Sequence, residues 1–217
     1  MKNWENLKAL FAALNEETEY LVLRNFEEFS DEKFLSSHPD IDFLCRDQQK
    51  IVQVTGAVPR GTAGDYMHCK IMVDGHEVFA DMWTVGDGYY DSVWGLDMLK
   101  SRVLYENLCY VPDEKNYLYS LLYHSLVQKH QMSEDYKERI RKMARDLGQK
   151  PVIRDHFRDH LESYMRAKGY HYTYPALPGG IANFENADRS LILKDRRRQM
   201  ARVLYQIKKR IKKLLHR

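Results

Sequence analysis

Residues 66–85 read YMHCKIMVDGHEVFADMWTV. Two β-prone runs, Tyr66–Val73 and Glu77–Val85, are joined across Asp74-Gly75-His76. An Asp-Gly between such runs signals a hairpin, because both residues tolerate φ > 0. Gly86-Asp87-Gly88 ends the second strand. Upstream, Glu19–Phe26 reads as a buried strand around Tyr20-Leu21-Val22-Leu23. Ser30–Lys33 opens a short helix that Pro39 breaks, and Ile41–Cys45 forms another apolar strand. Residues 3–15 place Trp4, Leu7, Leu10, Phe11 and Leu14 at helical spacing, whereas Gln48–Thr55 fits either state.

Beyond residue 92 the pattern turns helical. Val93–Tyr105, Asn116–Lys129, Ser133–Leu147 and Ile153–Lys168 carry apolar residues three and four apart, with Pro112, Gly148 and Gly169 as punctuation. Residues 170–188 are rich in Gly and Pro and read as loop. The expected class is α+β. A small mixed β-sheet core with an N-terminal helix would span residues 1–92, a helical subdomain 93–188 and a basic amphipathic helix 189–217.

The 217 residues, 44% hydrophobic and 12% aromatic, exclude a wholly disordered chain. No apolar run reaches the roughly 18–20 residues of a membrane span. MKNWENLKALF lacks the features of a secretory signal, so a cytoplasmic protein is expected. Cys45, Cys69 and Cys109 stand apart without a C-x-x-C pair, and they read as buried small residues in a reducing compartment. The net charge of +3 hides an asymmetry. Residues 189–217 hold twelve Lys/Arg against Asp195, a net of +11, which leaves −8 on residues 1–188.

Candidate chemistry centres on Asp40-Ile41-Asp42-Phe43-Leu44. Residues i and i+2 of a strand share a face, so Asp40 and Asp42 project together. Paired carboxylates repel unless a cation lies between them or one takes up a proton. They suit Mg²⁺, but they also suit a turn cap after Pro39 and a solvated strand edge. Asp81 sharpens the choice, since an acid among Val, Phe, Met and Trp needs a partner. If its strand lies beside the first, three acids converge as two-metal phosphoryl transfer requires.

YLVLRNFEE, HPDIDFL and a lone strand aspartate together resemble the nucleotidyltransferase superfamily (the DNA polymerase β-like fold). DMWTVGDGYYDSVW, MLKSR, YVPDEKNYLYSLLYHSLVQK and KGYHYTYP are similar to stretches in nucleotidyltransferase-like proteins of bacterial capsule and lipopolysaccharide gene clusters. The resemblance spans roughly residues 18–185. It implies that Asp40 and Asp42 are the metal-binding pair, Asp81 the third carboxylate, and Mg²⁺, one ion or two, the cofactor. The superfamily's Gly-Ser turn is replaced here by Leu23-Arg24-Asn25-Phe26. Arg24 and Asn25 would then meet the donor phosphates, Arg24 through a bidentate contact at the mouth of the site.

Other candidates have two readings each. Arg60-Gly61-Thr62-Ala63-Gly64 is either a phosphate cradle or a plain loop. Tyr89, Tyr90 and Trp94 either stack a base or sugar or form core. His124 and Lys129, about 140° apart around a helix, are a core histidine and a surface lysine, or phosphate and base contacts as the resemblance implies. Within the tail, Met200, Val203, Leu204, Ile207, Ile211, Leu214 and Leu215 form an apolar stripe, with Lys and Arg elsewhere. Such a helix suits an anionic membrane surface, a partner protein or its own acidic body, while nucleic acid is not expected from a single aromatic, Tyr205.

The resemblance implies an Mg²⁺-dependent transferase using a nucleotide or nucleotide-activated donor. The acceptor would be a phosphorylated sugar or glycan in surface polysaccharide assembly. Transfer of a phosphocholine- or phosphoalditol-type group is the second reading. An inactive scaffold that recruits partners through the tail is the third.

Overall fold

The computed structural model describes residues 1–31, 33–37, 39–61, 67–148 and 156–215, with the backbone alone at 215. Residues 62–64 of the glycine-rich segment and 153–155 of an expected helix lie outside them. The fold is α+β, with seven α-helices and a six-stranded mixed sheet among the described residues. No helix among them is long and apolar enough to cross a membrane. The chain forms two compact units: residues 1–85 with 95–117, and residues 86–94 with 118–217. The boundary expected at residue 92 therefore falls at the start of a helix that runs on to Lys100.

The first unit is built on β1 (Asn3–Trp4), α1 (Leu7–Glu17), β2 (Tyr20–Val22), β3 (Asp40–Cys45), α2 (Gln48–Thr55), β4 (Val58–Pro59), β5 (His68–Val73) and β6 (His76–Thr84). Its sheet has the order β1-β5-β6-β3-β2, with β4 paired to β5. β3 runs parallel to β6, and both β2 on β3 and β5 on β6 are antiparallel. Only Asp74 (φ 49°) and Gly75 (φ 73°) form the hairpin tip, since His76 already pairs with Val73. β1 escapes a periodicity argument because it is two residues long. It is fixed by Asp74 N–H donating to the Trp4 carbonyl and Gly75 N–H donating to Asn3 Oδ1.

The ambiguous segment is helical because Asp47 caps two amides, those of Gln49 and Lys50. Ile41, Phe43, Val78, Ala80 and Met82 are fully buried on one sheet face, and Leu10, Phe11, Leu14 and Ile51 complete that core. The strand expected through Phe26 stops at Val22; Asn25 adopts φ 59° and Phe26–Ser30 coils into a 3-10 turn. The short helix expected to open at Ser30–Lys33 and to end before Pro39 is a single 3-10 turn, Phe34–Ser36, that follows Lys33. α3 (Ser92–Lys100) is shorter than expected. β7 (Val103–Tyr105) and β8 (Cys109–Val111) follow it as a hairpin, with Glu106 and Asn107 both at positive φ.

The second unit contains α5 (Glu134–Asp146), α6 (Phe157–Lys168) and α7 (Arg196–Leu215), and α4 (Glu114–Val127) ends within it. Its core is aromatic. Trp94 stacks on Tyr170 at 5.2 Å between centroids and meets Tyr123 edge-on, while Tyr119 stacks on Tyr164 at 3.8 Å. Gly88, at φ 82°, runs so close to the Tyr174 carbonyl that a Cβ would lie 2.1 Å from its oxygen. None of the three cysteines forms a disulfide and all are buried, and burial pushes the Cys109 thiol up to about 12, which leaves it inert.

Candidate metal centre

β3 and β6 are neighbours in parallel register, which sets Asp42 directly opposite Asp81 and Asp40 opposite Phe79. Neighbouring strands are about 4.8 Å apart, so paired side chains on one face are within reach of each other. One carboxylate oxygen from each of Asp40, Asp42 and Asp81 lies within 4.8 Å of the others. Three hard oxygen donors in such a cluster suit a divalent cation of the Mg²⁺ class.

The triad is graded in burial. Asp40 is exposed, Asp81 half-buried and Asp42 buried. Asp42 is therefore no solvated strand edge. A buried carboxylate needs a counter-charge, and Arg24 supplies it at 2.7 Å. Arg24 is thus buried beside the carboxylate cluster, as the counter-charge of one of its members. Asn25 follows it as a half-buried left-handed residue whose carbonyl accepts from the Glu28 amide.

The sheet supplies a residue that the sequence reading missed. His68 stands opposite Asp81 across the β5–β6 ladder, and its Nδ1 lies 2.7 Å from Asp81 Oδ1. The signal was present: a two-residue Asp74-Gly75 tip makes paired positions sum to the same value, and that pairs 68 with 81. Treating His76 as part of the turn hides this register.

Loss of hydration, then the negative charges of Asp42 and Asp81, raise the Asp40 carboxyl to about 6, with Arg24 and Arg60 pulling the other way. The Arg60 guanidinium lies over the Phe79 ring at 3.9 Å. Pro39 and Phe79, adjacent to Asp40 along and across the ladder, help line a surface hollow of about 340 Å³. The site thus combines clustered carboxylates with a facing imidazole.

The remaining candidates belong to the second unit. Tyr89 and His124 are buried; the Tyr89 hydroxyl is 3.4 Å from His124 Nδ1, which is also 3.1 Å from Gln128 Oε1. The Gln128 amide donates to the Tyr89 carbonyl. This network satisfies His124 within the core; Tyr90 and Trp94 are buried core aromatics, and Tyr89, also buried, lines a small hollow with Gly88, Tyr123 and Gln128. Lys129 lies beyond the end of α4, with its ammonium 5.0 Å from the Tyr136 ring centre. No protein-family model, curated protein or solved structure matches the chain.

Proposed function

We propose that the chain is an Mg²⁺-dependent transferase of the nucleotidyltransferase type, acting on a nucleotide or nucleotide-activated phosphorylated donor. The observation that carries this reading is the convergence of Asp40, Asp42 and Asp81 from two adjacent parallel strands. A scaffold has no use for three acids held against their own repulsion, so the cluster favours a catalyst. The mixed sheet and the motif resemblance support the nucleotidyltransferase assignment. The motif resemblance alone points to surface glycan assembly and to a sugar or glycan acceptor.

Bound cations would be held by the three carboxylates, and they supply charge neutralisation for phosphate oxygens at the reacting phosphorus. The residues of the chain do the rest. Arg24 fixes the Asp42 carboxylate by an ion pair, and His68 fixes Asp81 through its Nδ1. With a nucleoside triphosphate as donor, an acceptor oxygen bonds to the α-phosphorus and the bond from that phosphorus to the leaving pyrophosphate oxygen breaks. With a nucleotide-activated donor, the acceptor oxygen bonds to the phosphorus of the transferred group and a nucleoside monophosphate leaves. The acceptor hydroxyl gives up its proton to a triad carboxylate. Asp81, less buried than Asp42, is the better disposed to receive it.

Thermal-shift measurements over a panel of nucleoside triphosphates and nucleotide-activated sugars, with and without Mg²⁺, test the assignment. The expected result is stabilisation by one donor class only when Mg²⁺ is present, lost in Asp42→Asn and Asp81→Asn. If no donor stabilises the protein in the presence of the metal, the proposal fails.

A further inference from the structure

The final helix is amphipathic in an unusual orientation. α7 docks on its own unit through its polar side. Arg198 donates to the carbonyls of Tyr174 and Gly86, Arg202 donates to the carbonyl of Gly180, and the Tyr205 ring approaches Gly179 so closely that a Cβ there would lie 2.9 Å away. At 3.6 residues per turn, these three side chains lie about 140–200° around the axis from Met200. The stripe of Met200, Val203, Leu204, Ile207, Ile211 and Leu214 is consequently exposed, each by 48% or more. A surface helix ordinarily turns that stripe inward, and a continuous apolar strip over about 21 Å marks an interaction surface.

We infer that this stripe is a docking surface for an anionic lipid bilayer. Lys208 and Lys212 lie about 80° and 120° from the stripe's midline on one flank, and Arg210 about 80° away on the other. Cations at both margins of an apolar stripe reach lipid phosphates while the apolar side chains enter the headgroup boundary. The segment from residue 189 carries a net +11, and Arg196–Arg217 contains no acid at all. Pairing with a second copy would set Lys and Arg of one helix against those of the other with no carboxylate to answer them. Nucleic acid would satisfy the charge but leave the apolar stripe in water. An anionic membrane complements both.

The test is co-sedimentation of the 217-residue chain with phosphatidylglycerol-containing vesicles and with vesicles of phosphatidylcholine alone. The protein should partition to the anionic vesicles only, less at high salt. Ile207→Ser with Ile211→Ser should weaken binding at least about tenfold. Both positions are half-exposed, so the thermal transition of this variant should match wild type. Wild-type protein left in the supernatant at low salt overturns the inference. So does equal binding by the double variant, which would reveal charge attraction alone. A dimer seen by light scattering and dissolved by the double variant also overturns it, because the stripe would then be covered by a second copy.

Discussion

His68 faces Asp81 across an antiparallel ladder with 2.7 Å between Nδ1 and Oδ1, so the carboxylate that meets Asp42 on one side is held by an imidazole on the other. Hydrogen-bonding partners of metal-binding carboxylates fix their orientation, and their loss costs about 10–100-fold in affinity. His68→Ala should weaken Mn²⁺ binding, followed by calorimetry or electron paramagnetic resonance, by at least about tenfold. His68→Asn, which keeps a donor near the Nδ1 position, should recover part of it. Unchanged affinity in His68→Ala would show that His68 only packs against the Trp83 ring.

Arg24 and Asp42 form a buried pair. Removing one member of such a pair leaves an uncompensated charge and costs about 3–5 kcal/mol. Arg24→Met should therefore lower the unfolding free energy measured in urea by an amount of that order. Mg²⁺ should restore part of the loss, since a divalent cation at Asp42 takes over the neutralisation. NaCl at matched ionic strength should not. A fully stable Arg24→Met would contradict the pairing.

Asp40 supplies the pH dependence. Its folded pKa of about 6 exceeds the ordinary 3.8, so the fold favours the neutral form. The group's stabilising contribution is complete below the ordinary value and is lost as pH rises through about 6. Asp40→Asn should raise the melting temperature of the metal-free protein at pH 7.5, with a smaller effect at pH 4.5. Metal binding requires the ionised form, so wild-type affinity should rise about tenfold between pH 5 and 7. A pH-independent affinity over that range would exclude Asp40 as a ligand.

Gly88 tests the second unit. A side chain there meets the Tyr174 carbonyl and the Arg198 guanidinium at a backbone conformation that L-residues resist. Gly88→Ala should cost on the order of 3 kcal/mol in chemical unfolding. It should also detach Arg198 from its carbonyl partners. Wild-type stability in that variant would mean that the loop can move aside.

The parts legible in the sequence were those set locally. The Asp-Gly tip declared a hairpin, paired aspartates two apart declared a shared face, and helical spacing located most helices. What could not be read depended on distant partners. Nothing near Arg24 announces that Asp42 will be its counter-charge, because β2 and β3 meet only after Phe26–Ser30 and Phe34–Ser36 have coiled between them. Val103–Tyr105 continues a helical pattern of apolar residues, yet Glu106 and Asn107 turn it back on Cys109–Val111. The burial of Tyr89 and His124 likewise depends on Gln128 and on the surrounding aromatic core, which no spacing within one helix reveals.

The interleaving of the two units sets an order on synthesis. A ribosome releases every residue of the first unit by Tyr117, with Gly86–Trp94 carried along as an insertion that belongs elsewhere. Until Leu118 and later residues emerge, Tyr90 and Trp94 lack Tyr123, Tyr164 and Tyr170, the rings that cover them. A nascent chain stalled between these points holds all three carboxylates and also an uncovered aromatic cluster, the kind of transient surface that draws chaperones or neighbouring chains. The cover of Tyr90 and Trp94 is thus complete only once residues 118–170 have been made, an ordering that neither the triad nor the final helix reveals.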